Sequence, residues 1–225
     1  MKRLIENRSA CVLLVLLAAA YLSFLAADLL FAGFGRFSVL LKYLSILLCL
    51  VTAILLNRGA WNKRDSALLL SALFLTCVSD FFLLLLNWPV PGLLAFCIVH
   101  LVYIRRYRPS AFFPAAAIVA LVMAGCLAAE FLIGGFPLKY ALSCLYGVLL
   151  LAVTIFGFTA PLPRANLHLV IAGMALFLLC DIHVALFNIL AASDPYYPFA
   201  SFLMWFFYLP SQVLLALSGY TYADS

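Results

Sequence analysis

The stretch SALLLSALFLTCVSDFFLLLLN at residues 66–87 decides the fold, because it is long and apolar enough to span a bilayer yet carries a carboxyl group, Asp80. A second stretch, LHLVIAGMALFLLCDIHVALFNIL at residues 167–190, has the same character and carries Asp181. A charged group well inside a membrane helix costs about 2.5–3.5 kcal/mol on insertion scales. Such a residue therefore faces a protein interior and serves a function, or stays protonated, so the two aspartates are the first candidates for a functional site.

Composition places the chain among the polytopic membrane proteins. Of its 225 residues, 68% are hydrophobic and 9% are charged, whereas soluble domains are about half apolar and a quarter charged. Since a span needs about 20 apolar residues, we predict an all-α bundle of eight transmembrane helices that forms one membrane domain over residues 1–225. The predicted spans are residues 11–33, 38–56, 66–87, 90–104, 112–133, 138–160, 166–191 and 198–220.

The distribution of basic residues predicts the orientation. With eight spans both termini lie on one side, and that side collects most of the 13 Lys and Arg residues, namely Lys2, Arg3, Arg8, Arg58, Lys63, Arg64, Arg105, Arg106, Arg108 and Arg164. Basic residues favour the cytoplasmic side, so we expect both termini in the cytoplasm, and a bacterial inner membrane suits so compact a chain. The net charge of +5 then reflects the topology and favours contact with anionic membrane lipid. It gives no indication of nucleic-acid binding.

Two short segments recur in the same order along the chain. LKYLS at residues 41–45 resembles LKYALS at residues 138–143, and ALFLTCVSD at residues 72–80 resembles ALFLLCD at residues 175–181. The second copy follows the first by about 100 residues, which corresponds to four spans. We therefore predict a 4+4 internal repeat of parallel halves, an arrangement known in membrane proteins. A pseudo-two-fold axis along the membrane normal would bring Asp80 and Asp181 face to face.

Several further polar side chains inside the spans have both a structural and a functional interpretation. Lys42 lies about one turn into the second span, where it either snorkels to the interface or serves the site. His100, in the fourth span, either links helices by hydrogen bonds or takes part in chemistry. Tyr208 and Gln212 are four residues apart and share a helix face. Asn188 follows the second aspartate by two turns, on nearly the same face, as an interhelical link or a substrate ligand.

The remaining titratable groups narrow the chemistry to carboxylates. Asp28 and Glu130 lie near the outer ends of the first and fifth spans, where we expect solvated headgroups to surround them. The seven cysteines lie in apolar runs without a CxxC pair, and His100, His168 and His183 share no helical spacing, so we predict no disulfide framework, no metal site and no cofactor. No GxSxG, P-loop or HExxH motif occurs.

Taken in order, these features resemble the YhhN-like lysoplasmalogenases, a family of small eight-span membrane proteins. The resemblance rests on LLKYL at residues 40–44, Ser79-Asp80, VHLVYI at residues 99–104, ALFLLCD at residues 175–181 with a downstream Asn, and FYLPSQ at residues 207–212. It covers spans 2–4 and 7–8, and Tyr140 adds a match in span 6. The chain departs from the family pattern at Cys180, Pro210 and His183, and no proline follows Lys42.

The resemblance implies hydrolysis of the vinyl ether of lysoplasmalogens, which gives a fatty aldehyde and a glycerophospho-ethanolamine or -choline. It implies Asp80 and Asp181 as the acid/base pair. One carboxyl group would hold a proton and the other would be ionised, a division that glycosidases also use for an oxocarbenium-like transition state. The supporting residues it implies are Lys42, His100, Tyr103, Tyr140, Asn188, Tyr208 and Gln212, with a lysophospholipid as the partner molecule.

Two other functions, and a purely structural role, remain open from the residues alone. Two buried carboxyl groups in pseudo-symmetric halves also suit a proton-coupled transporter of a small molecule or lipid. A metal-dependent lipid amidase would need the three histidines and the aspartates to converge, which their spacing disfavours.

Overall fold

The structure is a computed structural model, and it describes residues 8–30 and 35–220. Within these residues, eight helices are long and apolar enough to cross a membrane. They are α1 (Arg8–Leu30), α2 (Gly35–Leu56), α3 (Lys63–Asp80, continued by a π-helical turn Phe81–Leu85), α4 (Pro89–Tyr107), α5 (Phe112–Ile133), α6 (Leu138–Phe158), α7 (Arg164–Ile189) and α8 (Tyr197–Leu217). The all-α, eight-span prediction is confirmed. The end of the first predicted span, and Lys2 and Arg3, lie outside the described residues.

Local sequence explains where these helices begin and end. Asn62 caps α3, because its side-chain oxygen accepts hydrogen bonds from the backbone N–H groups of Arg64 (2.8 Å) and Asp65 (3.1 Å). Pro89 occupies the first turn of α4, where its missing N–H costs nothing. Gly134 and Gly135 end α5 with φ angles of 68° and 71°, a conformation that favours glycine.

Six helices form a ring in the order α2, α3, α4, α6, α7 and α8, and exchanging the first four helices with the last four gives the same ring. The contact of α3 with α8 across the ring has no equal between α7 and α4. α2 packs against α3 and α8, α6 packs against α7 and α4, and the pairs α3–α4 and α7–α8 complete a ring of six. α1 lies outside this ring against α2 and α8, and α5 lies outside it against α6 and α4. The 4+4 repeat stays a prediction, and this packing order favours it.

The bundle has two chemically different ends. The arginine-rich end contains the start of α1, the end of α8 and the connections around residues 60, 109 and 161. The opposite end holds the other turns. The cytoplasmic assignment of the arginine-rich end stays a prediction from the charge distribution.

A buried ion pair that the sequence analysis missed ties the arginine-rich end together. The Arg106 guanidinium donates to both carboxylate oxygens of Asp65, at 2.8 and 2.9 Å, and to the hydroxyl of Ser218 at 2.9 Å. Arg106 is 4% exposed and Asp65 is 7% exposed. Trp61 donates its indole N–H to Asp65 at 3.0 Å, and Asn166 donates its amide to the Ser218 carbonyl at 2.7 Å. This cluster joins α3, α4, α7 and the end of α8.

The last turn of α3 is wider than an α-helical turn. The N–H of Leu86 donates to the carbonyl of Phe81, five residues back, at 3.2 Å. Asn87 then ends the helix with φ of 52°, a left-handed conformation that asparagine tolerates. Turns of this kind often occur at functional sites, and this one begins directly after Asp80.

Candidate functional site

Two aspartates from different helices approach each other inside the bundle, towards the end opposite the arginine-rich one. Asp80 is the last residue of the α-helical part of α3 and is 4% exposed. Asp181 lies in α7, eight residues before its end, and is partly buried. The two carboxyl groups are close enough to interact electrostatically. The 4+4 repeat predicts such an approach, and the pairing of the two aspartates stays a prediction.

Each aspartate has a tyrosine partner from a neighbouring helix. The Tyr208 hydroxyl, on α8, donates to Asp80 Oδ2 at 2.6 Å. The Tyr146 hydroxyl, on α6, donates to Asp181 Oδ2, and the Cys180 thiol also donates to the Asp181 carboxyl group. Four helices thus contribute to a compact arrangement of two carboxyl–phenol pairs, to which α7 adds the Cys180 thiol.

His100 lies beside this arrangement in an aromatic stack. Its ring centroid is 5.0 Å from that of Tyr146 and 5.7 Å from that of Phe177. His100 is fully buried, and neither of its ring nitrogens has a hydrogen-bond partner among residues 8–30 and 35–220. A buried imidazole without hydrogen-bond partners lowers the stability of the fold. A water molecule or a substrate oxygen bound to the ring nitrogens would remove that cost.

Lys42 belongs to a separate ion pair that supports the site from one side. Its ammonium group lies 2.7 Å from Asp28 Oδ2 and 5.0 Å from the centroid of the Trp205 ring. The Trp205 ring in turn meets the Tyr208 ring edge-on, with centroids 5.4 Å apart. Asp28 also accepts a hydrogen bond from Ser38 at 2.7 Å. Lys42 therefore pairs with Asp28 and packs on Trp205, and Trp205 packs on Tyr208, the hydrogen-bond donor to Asp80.

Two further buried polar residues line the interior on the arginine-rich side of His100 and Tyr208. Tyr103 lies three residues after His100 on α4 and stacks on Tyr107, with centroids 5.5 Å apart. Gln212 lies one turn after Tyr208, and its amide nitrogen is 3.4 Å from the Ser211 hydroxyl. Within the described part of the chain, the Tyr103 hydroxyl and the Gln212 side-chain oxygen have no hydrogen-bond partner.

The model of the YhhN family matches residues 37–219, which is most of the chain. The chain belongs to the YhhN family. No curated protein and no solved structure matches it. The matched residues of this YhhN protein include both aspartates and both tyrosine partners, whereas Asp28, the partner of Lys42, precedes them.

Two predicted supporting residues lie away from the aspartates of this YhhN protein. Tyr140 is 68% exposed, and its ring lies under the Lys139 ammonium group, 5.9 Å away. Asn188 is exposed, and its amide donates to the Val184 carbonyl of its own helix at 2.8 Å. Each residue lies near a helix end on a face that no neighbouring helix covers, and the supporting roles of both stay predictions.

The expectation for Asp28 also needs correction. It was placed in the solvated headgroup region, but its carboxylate pairs with Lys42 and its side chain is 21% exposed. The pair forms because Asp28 near the end of α1 and Lys42 near the start of α2 lie at the same depth. Lys42 is accordingly buried, at 8% exposure, and does not snorkel.

Sequence reasoning missed Tyr146, although the chain carries a signal for it. Tyrosines of membrane proteins concentrate at the two interfaces, whereas Tyr146 is the ninth residue of a 21-residue helix. A phenol so deep in a span needs a hydrogen-bond partner, and that requirement points to another buried polar group such as Asp181.

The histidines of this YhhN protein do not converge. His100 stacks on Tyr146, His183 hydrogen bonds to the Leu179 carbonyl and stacks on Tyr196, and His168 is exposed. Among residues 8–30 and 35–220, His, Cys, Asp and Glu form no group of three or more that would hold a metal ion. The geometry therefore gives the amidase interpretation no ligand set.

Proposed function

We propose that this protein hydrolyses the vinyl ether bond of lysoplasmalogens, releasing a fatty aldehyde and a glycerophospho-ethanolamine or -choline. The observation that carries the proposal is the approach of Asp80 and Asp181 from different helices, each with a phenol donor, in a member of the YhhN family. A pair of carboxyl groups in one apolar site can divide the roles of acid and base.

The reaction needs both roles. A proton passes from one carboxyl group to the vinyl carbon that is not bonded to oxygen, and an oxocarbenium ion forms. Water adds to that cation and gives its proton to the second carboxylate, so a hemiacetal results. The hemiacetal collapses when the first carboxylate removes its hydroxyl proton and the second carboxyl group protonates the leaving glycerol oxygen. Both aspartates then have their starting protonation states, as in the carboxylate pairs of glycosidases.

The surroundings favour Asp80 as the initial acid and Asp181 as the initial carboxylate. Asp181 accepts from two donors, Tyr146 and Cys180, and these contacts stabilise a negative charge. Asp80 is almost completely buried and accepts from Tyr208 alone among the described residues, so its neutral form is favoured.

The other buried groups take supporting roles in this proposal. His100, with both ring nitrogens free among the described residues, holds the attacking water or relays a proton beside Asp181. Gln212 and Tyr103 offer polar atoms to the attacking water from the arginine-rich side. Lys42 acts as a positioning residue, because its contact with Trp205 fixes the ring against which Tyr208 packs.

Aldehyde release by purified, folded Asp80→Asn and Asp181→Asn variants tests the proposal, with an ester lysolipid as the substrate control. We expect each variant to lose about 10²–10⁴-fold in kcat/KM, the usual contribution of general acid–base catalysis. Glu130→Gln, which neutralises an exposed carboxylate on the peripheral helix α5, should retain the wild-type rate. Wild-type aldehyde release by either aspartate variant would sink the assignment. Substrate-dependent proton flux in liposomes without aldehyde release would favour the transporter.

A further inference from the structure

An apolar groove between α2 and α3 opens on the lipid-facing surface of the bundle. It has a volume of about 210 Å³, and its lining includes Tyr43, Leu47, Leu50, Phe74, Cys77 and Phe81. Phe74 is 57% exposed and Phe81 is 39% exposed, so the groove is open to the membrane along its length. These residues form the α2–α3 groove.

One end of the α2–α3 groove adjoins the candidate acid. Cys77 lies one turn before Asp80, and Phe81 follows it directly, so the groove wall and the carboxyl group share the last turns of α3. The Tyr43 and Phe81 rings meet with centroids 6.3 Å apart and mark this end.

The groove runs from the depth of Asp80 towards the middle of the membrane. Tyr43 and Leu50 mark its extent on α2, and seven residues of helix cover about 10 Å at 1.5 Å per residue. On α3, Phe81 and Phe74 mark a similar length in the antiparallel direction. A chain lying in the groove therefore has one end beside Asp80 and extends away from the nearer interface.

We infer that the α2–α3 groove binds the hydrocarbon chain of a single-chain phospholipid, with the bond to be cleaved held at the Tyr43–Phe81 end. This inference rests on the proposed function and adds the place of the chain and the source of chain-length preference. The groove is smaller than the roughly 300–1,000 Å³ of sites that enclose drug-sized ligands, so it takes part of one chain and leaves the headgroup outside. Its opening towards lipid restricts the occupant to molecules dissolved in the bilayer.

Photo-crosslinking locates the chain without requiring catalysis. The probe is a lysophospholipid with a saturated alkyl ether, which cannot be hydrolysed at a vinyl bond, and a diazirine in the middle of its chain. In the full-length protein in liposomes, we expect labelled peptides to concentrate on residues 43–50 and 74–82 and to disappear when unlabelled lysolipid competes. Labelling spread evenly over lipid-facing residues, such as those of α5, would overturn the inference.

A chain-length profile tests the same inference through specificity. Leu47→Trp fills the middle of the groove, and we expect kcat/KM for long-chain lysoplasmalogens to fall about tenfold relative to short-chain ones, the discrimination that one methylene group gives in an apolar pocket. Leu44→Trp is the matched control, because Leu44 lies one turn away on α2, is 44% exposed and does not line the groove. Identical profiles for both variants would refute the groove as the chain site.

The outcomes separate this inference from the proposed function. Groove labelling together with full activity of Asp80→Asn would leave the chain site standing and remove the proposed mechanism. Loss of activity in Asp80→Asn together with uniform labelling would leave the proposed mechanism standing and remove the chain site.

Discussion

Replacing Asp65 by asparagine tests how strongly the buried ion pair at the arginine-rich end stabilises the bundle. Asn keeps the shape of the side chain but removes the charge that faces the Arg106 guanidinium at 2.8 and 2.9 Å. Removing one partner of a buried pair costs about 3–5 kcal/mol, because the other charge stays buried and uncompensated. For a chain of 150–250 residues, 1 kcal/mol shifts the thermal midpoint by about 2–4 °C, so we expect a fall of roughly 6–20 °C.

The assay is thermal unfolding of the purified protein in detergent, followed by loss of the monodisperse peak in size-exclusion chromatography. The control is the double variant Asp65→Asn/Arg106→Met, in which no buried charge remains at this place. Because apolar replacement of a whole buried pair is often neutral or stabilising, we expect the double variant to recover most of the lost midpoint. A shift that corresponds to less than about 1 kcal/mol, as for a surface pair, would refute the reasoning. A double variant that is less stable than Asp65→Asn alone would refute it as well.

The same variant also separates stability from chemistry. Asp65 and Asp80 lie on one helix, 15 residues or about 22 Å apart. Well below its lowered midpoint, Asp65→Asn should therefore release aldehyde at the wild-type rate. A parallel loss of activity there would indicate that the ion pair acts on the site through α3.

Three further predictions concern the site and its support. Tyr146→Phe removes the phenol donor of a carboxylate, so we expect kcat/KM to fall about 10–100-fold, from the roughly 1.5–3 kcal/mol of a hydrogen bond to a charged group, while Tyr140→Phe at an exposed position leaves it unchanged. His100→Phe should keep or raise the thermal midpoint, because it removes polar atoms that have no partner among the described residues, and should still lower aldehyde release. Gly92→Ala should lower the midpoint by the equivalent of about 1–3 kcal/mol, since its new methyl group would meet Leu83 at 2.5 Å; an unchanged midpoint would contradict that packing.

The sequence was sufficient for the spans because the bilayer leaves few alternatives. Backbone groups in lipid must be satisfied within the segment, so a long apolar run becomes a helix. The same cost of burying polar groups singled out Asp80, Asp181 and His100, and the structure brings all three into one region. These features follow from the hydropathy of each segment in a membrane, and they do not require knowledge of how one helix packs against another.

The partners within the bundle depended on packing and were harder to predict. The resemblance drew attention to Tyr140, at the third residue of α6, whereas Tyr146 contacts an aspartate. Six residues at 100° each put these two tyrosines on faces about 120° apart, and only the neighbouring helices decide which face is covered. Counting charges likewise grouped Arg106 with the other arginines without indicating that it pairs with Asp65.

The wide turn at Phe81–Leu85 gives α3 a tolerance for changes in length. A π-helical turn holds one residue more than an α-helical turn, so removing one residue from this segment would restore ordinary bonding to the carbonyl four residues back. Everything before the turn, including Asp80, would keep its place, because Ser79 is held by the Gly92 carbonyl at 2.6 Å. Leu86 and Asn87 would rotate by about 100° around the helix axis. Relatives that are one residue shorter here would therefore keep the carboxyl group in register and differ only in how the chain turns into α4.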